Sequence, residues 1–463
     1  METLLILNGT IITAGESLRE DLVVIDGIIS VRGNVDPAQY PSSKTIDATG
    51  RLILPGGIDP HVHFSLPTPA GNSSDSFFSG SRAAIAGGTT GIMDFVTPKR
   101  GESLINALLQ RKKEAEACLT DYSLHMGISE WNHGIASEIG ICIDKEGITS
   151  FKTYLAYRDS IGINEKELKQ VMEIVGPAGG LVMVHCEDGT MITGLQQQFI
   201  RRGKTAAFYH ALSRPPEAEF RVVEKVIDLG VRTGCPVYIV HVSTGKAAEA
   251  IRQAKKTGIT LFAETCPQYL LLNDSVYDPK LENRKVLPYI ISPPLRSSED
   301  QEQLWEGLQD GTFDTLATDH CPFHLHGQKD QGLNDFTKIP NGAGGIEHRL
   351  KLLYTYGVLS GKMSINRLVD LVSTAPADIF GFGTRKGKLE PGHDADIVIW
   401  DPDAKGVISV KDHFQNCDSE IYEGFQVVGN PEIVLMNGKI AFQNNQLNLS
   451  GLKGHFIRVC VRL

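Results

Sequence analysis

Apolar positions follow two different rhythms along the 463 residues. Over the first fifty or so they come in short runs: Leu4–Leu7, Ile11–Thr13, Leu22–Ile25, Ile28–Arg32 and around Ile53. Asn8-Gly9, Asp26-Gly27 and Ala48-Thr49-Gly50 separate them. Short runs broken by Asn-Gly and Asp-Gly predict strands joined by tight turns. The same texture returns near the C-terminus in Ala395–Trp400, and in Ile433–Met436 and Lys439–Phe442 around Asn437-Gly438. Pairing the two ends predicts one small β-sandwich, made of residues 1–55 and 386–445.

Residues 56–385 alternate strand-length apolar runs with longer amphipathic stretches. The predicted strands are Ile58–Phe64, Thr90–Val96, Tyr122–Ile128, Ser150–Leu155, Leu181–His185, Val237–Val242, Thr260–Glu264 and Thr315–Thr318. Helical spacing falls on Ser76–Ala86, Leu104–Cys118, Glu165–Val175, Glu217–Thr233, Lys246–Thr257 and Glu299–Gly307. Eight such steps predict an α/β fold with a (β/α)₈ TIM barrel, whose chemistry sits at the C-terminal ends of its strands. A doubly wound sheet is the rival, but no GxGxxG opens a helix after a strand. Periodicity weakens from Ser409, and residues 446–463 read as a tail. Its Phe456, Ile457 and Val459 are apolar enough to pack on the domain or on a neighbouring subunit.

The net charge of −10, with no basic stripe, argues against a nucleic-acid partner. No apolar run reaches membrane-spanning length, and the N-terminus lacks the basic region and cleavage site of a signal peptide. The eight cysteines are scattered without a CxxC, as free thiols are in a reducing cytoplasm. These features predict a cytoplasmic protein with no membrane partner.

Several predicted strands end on metal-ligating residue types. His61 and His63 are two apart on the first, so both imidazoles point to one face. Lys152 lies on the fourth strand, His185 closes the fifth, His241 nearly closes the sixth, and Asp319 follows the eighth. Gathered at one end of a barrel, these form a two-metal hydrolase site. An ammonium about 5 Å from a divalent ion costs roughly 6–7 kcal/mol even at an effective dielectric of ~20. Lys152 must therefore be neutral or modified there. Carboxylation by CO₂ makes it an N6-carboxylysine, whose carbamate can bridge two cations. Two cations sharing a hydroxide lower its pKa toward ~7. Nitrogen and oxygen ligands without cysteine suit Zn²⁺, with Mn²⁺, Co²⁺ or Fe²⁺ as alternatives. Asp319 is the candidate general base and acid.

The chain also resembles the dihydropyrimidinase/D-hydantoinase group (phenylhydantoinase-like) of cyclic amidohydrolases in the amidohydrolase superfamily. The resemblance spans nearly the whole chain. It rests on Pro55-Gly56-Gly57-Ile58-Asp59-Pro60-His61-Val62-His63, Gly87-Gly88-Thr89-Thr90, Ser150-Phe151-Lys152 and His210-Ala211-Leu212-Ser213-Arg214-Pro215. Further on it rests on Glu264-Thr265-Cys266-Pro267-Gln268-Tyr269-Leu270, Ser292-Pro293-Pro294-Leu295-Arg296, Thr318-Asp319-His320-Cys321-Pro322 and Pro391-Gly392-His393-Asp394-Ala395-Asp396. It implies His61, His63 and Asp319 on one metal, His185 and His241 on the other, and carboxylated Lys152 bridging. It implies that Tyr157 stabilises the oxyanion, and that the main chain at Ser292 and Asn341 reads the cyclic –NH–CO–NH– edge. The implied reaction opens 5,6-dihydropyrimidines and hydantoins, 5-substituted ones included, to N-carbamoyl amino acids, and the implied assembly is a homotetramer.

Departures from the family pattern mark what is particular to this chain. The Ser65–Asn72 loop lies where relatives vary, so Phe64, Leu66 and Tyr154–Ile163 are expected to shape the substrate pocket. Gly344-Gly345-Ile346-Glu347 stands where many relatives have Pro-Gly-Val/Ile-Glu, which predicts a more flexible turn. His324-Leu325-His326 is a second HxH, expected to face solvent without a ligand partner. Allantoinase and dihydroorotase remain alternatives, the latter needing an arginine for a substrate carboxylate. A non-catalytic scaffold and a metal storage or sensor module are the readings from other classes.

Overall fold

A computed structural model describes residues 2–158 and 160–459. Its centre is a parallel eight-stranded sheet: β1 Gly57–Val62, β2 Thr89–Val96, β3 Asp121–Gly127, β4 Ser150–Tyr154, β5 Leu181–His185, β6 Val237–Ile239, β7 Leu261–Thr265 and β8 Thr315–Leu316. The strands pair in chain order, each with the next. The ring closes just past β8, where Val62 and His320 form a parallel bridge and the His63 N–H donates to the His320 carbonyl at 2.8 Å. Beside the seam, Asp59 accepts from the Thr318 hydroxyl at 2.6 Å. The (β/α)₈ barrel is thus present, with β6 and β8 shorter than their apolar runs predict.

Helices follow the strands largely as the 3.6-residue spacing predicts. Glu165–Val175 is found at the predicted bounds, with Asn164 and Glu167 as a reciprocal cap. Ser76 caps the helix at Phe77–Ala86 in the same way through Ser79. Helix Gly189–Arg201 escapes the sequence reading because it buries only Gly189 and Ile192, leaving too thin an apolar stripe to see.

Both chain ends build the second layer. Leu52–Pro55, from the N-terminal part, pairs antiparallel with Ile397–Val407, and that strand pairs with Gln426–Met436. A four-stranded sheet of Thr3–Leu7, Asp21–Ile25, Ile28–Gly33 and Lys44–Asp47 packs on it through Ile6, Leu22, Val24, Ile53, Ile397 and Leu435. Asp26-Gly27 and Asn437-Gly438 are hairpin turns as expected. Asn8-Gly9 is not. Thr3–Leu7 and Thr10–Ile12 lie in different sheets, so this pair carries a crossover. Gly9 is needed there because a Cβ would collide with Ile53.

Buried Lys386 joins this layer to the barrel, contacting Asp121 at 2.7 Å, Asp394 at 3.2 Å and Asp396 at 2.6 Å. The Asp394-Ala395-Asp396 motif is therefore structural. The C-terminal segment is held by its own chain. Its Ile457 N–H donates to the Tyr122 carbonyl at 2.7 Å, at the start of β3, and Ile457 and Val459 are buried against the barrel. No helix of the described residues is long and apolar enough to cross a membrane.

Candidate metal centre

The ligand types predicted from the strand ends meet at the C-terminal mouth of the barrel. His61 and His63 project to one side of β1, their Nε2 atoms 3.2 Å apart. Asp319 Oδ1 is 3.2 Å from each. Donors about 2.0–2.1 Å from one tetrahedral ion stand about 3.3 Å apart, so this triangle has the edges of a coordination face. His185 Nδ1 and His241 Nε2 form a second pair at 2.9 Å. The His61 and His241 rings, with centroids 5.5 Å apart, join the two groups.

Lys152 is fully buried on β4, and its Nζ has no hydrogen-bond partner among the described residues. Burial pushes its ammonium down to about 8, even with Glu264 and Asp319 opposing. Burial likewise holds His61 and His241 well below the usual histidine range, with the Lys152 charge adding to it. Neutral imidazoles are the form that ligates. Burial alone would raise Asp319, but His61 and His63 keep it below the usual carboxylate range. His63 Nδ1 and His241 Nδ1 are also buried without a partner among the described residues. Buried polar atoms are rarely left so. Imidazoles of His61 and His241 held neutral by burial, an anionic Asp319 and the unpartnered Lys152 nitrogen fit divalent cations.

Backbone strain accompanies the site. Tyr157, His241 and Asp319 have φ of 55°, 38° and 52°, the left-handed region that side-chain-bearing residues seldom occupy. Such strain concentrates where surrounding structure holds a side chain for chemistry. His241 and Asp319 both lie beyond the last paired residues of their strands, which frees the backbone to turn them inward.

Sequence reasoning missed the residues behind the ligands. Glu264, at the end of β7, contacts His61 Nδ1 and accepts from the His241 N–H at 3.0 Å. Burial raises it to about 7. Glu187 accepts from His185 Nε2 at 2.7 Å and pairs with Arg214 at 2.6 Å. Burial would raise Glu187, yet Arg214 and His185 bring it to about 2. These carboxylates orient the imidazoles and set their tautomers. Glu264 did carry a signal, a carboxylate closing an apolar run. Glu187 carried none and Arg214 only as part of a motif with no role attached, since their pairing depends on packing between residues just past β5 and a segment distant in the chain.

A cavity of ≈ 760 Å³ opens over these groups, lined by all six ligand candidates and by Tyr157, Ser292 and Asn341. Its outer wall includes Leu66, Pro67, Tyr154 and Ile161. Phe64 does not line it. Its ring is buried against Phe77 and His320, because one more step along the chain points it to the helix side. His326 is exposed and His324 half-exposed, as expected, but His324 does have a carboxylate beside it, Asp418 at 3.8 Å. The Gly344 turn is packed, Gln415 filling the space a Cβ would occupy.

The chain belongs to the amidohydrolase family, whose profile matches residues 52–441. Within it, the chain groups with hydantoinases and dihydropyrimidinases. It is 41% identical to a D-hydantoinase of Geobacillus stearothermophilus over 447 residues, 96% of this chain and 94% of that protein. The crystal structure of a dihydropyrimidinase from Brevibacillus agri, 37% identical, superposes with a TM-score of 0.96 and covers 100% of this chain and 99% of that one. An L-hydantoinase (dihydropyrimidinase) from Arthrobacter aurescens is 28% identical with a TM-score of 0.88, covering 99% of this chain and 100% of that one.

Proposed function

We propose that this chain is a cyclic amidohydrolase that opens 5,6-dihydropyrimidines and hydantoins to N-carbamoyl amino acids. The observation that carries it is the convergence of His61, His63, Lys152, His185, His241 and Asp319 on one cavity with Tyr157 at its side. On this reading His61, His63 and Asp319 hold one divalent cation and His185 and His241 the other, most simply Zn²⁺. Lys152, as a carbamate, would help hold them. Bound there, the two cations would polarise the ring carbonyl and acidify water.

The protein's own groups do the rest. Asp319 takes the proton of the attacking water as the C–O bond forms. It returns that proton to the ring nitrogen as the C–N bond breaks. The Tyr157 hydroxyl donates to the carbonyl oxygen as negative charge gathers on it, and the Arg214 guanidinium, 5.5 Å from the centre of the Tyr157 ring, favours that charge. Main-chain groups at Ser292 and Asn341 hold the –NH–CO–NH– edge. The apolar wall at Leu66, Pro67, Tyr154 and Ile161 suits an apolar 5-substituent, aryl groups included. Among the described residues lining the cavity there is no arginine, which favours these substrates over dihydroorotate. A cytoplasmic setting and a homotetramer belong to the same reading. The seven cysteines among the described residues are free, six of them buried, which agrees with a reducing compartment. Ile457 and Val459 are covered by their own barrel, so a subunit interface would use other surfaces.

The test is ring opening by metal- and bicarbonate-supplemented protein offered dihydrouracil, hydantoin, D- and L-5-phenylhydantoin, allantoin and dihydroorotate. Turnover of dihydrouracil or the hydantoins, with dihydroorotate slowest, is expected. Activity confined to allantoin or dihydroorotate would overturn the substrate class. Tyr157→Phe should lower kcat by roughly 10²–10³-fold with little change in KM, because the donor matters most once charge has developed. An equal loss in substrate binding would instead make Tyr157 a binding contact.

A further inference from the structure

A second histidine-rich cluster lies outside the barrel mouth, where residues 408–425 leave the sandwich and lie against the turn after β8. His348 Nε2 is 3.0 Å from Glu420 Oε2, and His413 Nδ1 is 3.4 Å from the same oxygen. The Gln415 carboxamide nitrogen stands 3.1 Å from Glu420 Oε2, 3.3 Å from His413 Nδ1 and 3.4 Å from His348 Nε2. Four side chains thus present atoms along edges of 3.0–3.4 Å. That is the spacing of donors around one tetrahedral ion with bonds of about 2.0–2.1 Å.

Two details favour a cation over a plain hydrogen-bond network. His413 Nε2 donates to the Cys417 carbonyl at 3.0 Å, which turns Nδ1 toward the cluster, where the neutral imidazole can ligate. Gln415, 6% exposed, has its Oε1 buried without a partner among the described residues while its NH₂ faces the imidazoles. Oxygen and nitrogen of a carboxamide exchange places by a half-turn. The turned amide puts the oxygen among the other three donors. Glu420 Oε1 accepts from the Tyr422 N–H at 3.0 Å, which holds the carboxylate in place. A cavity of ≈ 270 Å³ lined by His348, His413 and Glu347 gives a route in from solvent.

We infer that His348, His413, Gln415 and Glu420 form a third cation site, structural rather than catalytic, for a tetrahedral divalent ion such as Zn²⁺. Two imidazoles, a carboxylate and a carboxamide suit Zn²⁺ better than Mg²⁺ or Ca²⁺, which prefer all-oxygen shells. The ion clamps the 408–425 segment to the barrel. Asn416 N–H, in that segment, donates to Asp75 at 3.0 Å, and Asp75 in turn holds His320 at 2.9 Å. Gly345 N–H donates to the other His320 nitrogen at 3.1 Å. The clamp therefore supports the residue that follows Asp319 from both sides.

The experiment is metal counting by elemental analysis after chelation and reloading with Zn²⁺, on wild type, Glu420→Gln and His348→Ala. The wild-type chain should retain one equivalent more than either variant. In a Lys152→Ala background, which disables the barrel site, Zn²⁺ should still raise Tm, and His348→Ala should abolish that rise. Reloading with Co²⁺ in the same background should give visible d–d bands that the second substitution removes. If a variant fails to fold, the wild-type titration decides alone: saturation at two equivalents overturns the site, and a third supports it. Equal metal in wild type and folded variants would make the cluster a hydrogen-bonded pin only.

Discussion

Lys152→Ala should lower ring-opening activity by about 10³-fold or more, a loss of ~4 kcal/mol of transition-state stabilisation. It should also strip the barrel mouth of metal. Two buried lysines in the same chain are placed in opposite ways. Lys386 sits among three carboxylates, and their pull, against burial, raises its affinity for a proton. Lys152 has no hydrogen-bond partner among the described residues, only the ring faces of Phe95 and Tyr154 at 5.1 and 5.2 Å, and burial lowers it to about 8. At pH 7 roughly a tenth of such an amine is neutral, against ~0.03% for an ordinary lysine. The neutral amine is the form that adds CO₂, losing a proton to give the carbamate. A lysine kept only for packing or charge pairing would not be placed this way. The check is kcat/KM and metal content together, with acetate or propionate added to the variant. Partial rescue by the small carboxylate is expected, because it can stand where the carbamate stood. A variant that keeps a tenth of the activity and all its metal would sink the carbamate assignment.

Asp319→Asn should lower kcat by roughly 10²–10⁴-fold, the range for loss of a positioned general acid–base group. Asparagine is the informative replacement because it keeps the shape and tolerates the left-handed φ of 52° that Asp319 adopts. Alanine would add backbone strain and confuse the result. The carboxyl of Asp319 stays below the usual carboxylate range despite its burial, so it is anionic at neutral pH. It can therefore accept a proton, whereas the amide cannot. Circular dichroism should show the variant folded. A folded, metal-loaded Asp319→Asn variant with near-normal kcat would transfer the proton step to another group.

How far these expectations were legible differs from residue to residue. His61 and His63 could be read from one strand, since alternation alone puts them on one face. Lys152, His185, His241 and Asp319 could be read from their place at or near the ends of apolar runs. The resemblance added Tyr157, Ser292 and Asn341, which no spacing marks. Glu187, Arg214 and Glu264 stayed hidden as orienting groups, because a buried carboxylate reveals its role only through the nitrogen it meets. Asn8-Gly9 misled for a related reason: a turn signal says that the chain reverses, not which sheet receives it.

The barrel, its eight strands and the residue types at its mouth follow from short-range periodicity, which encodes which side of an element is buried and where the element stops. Three further things depended on contacts between residues far apart in the chain. Val62 meets His320 to close the ring, Ile457 and Val459 cover their own barrel, and His348 meets His413 and Glu420. Local pattern sets burial, but chain crossings and loop packing set which buried groups share a space, and a polar side chain has no fixed chemistry until its neighbours are in place.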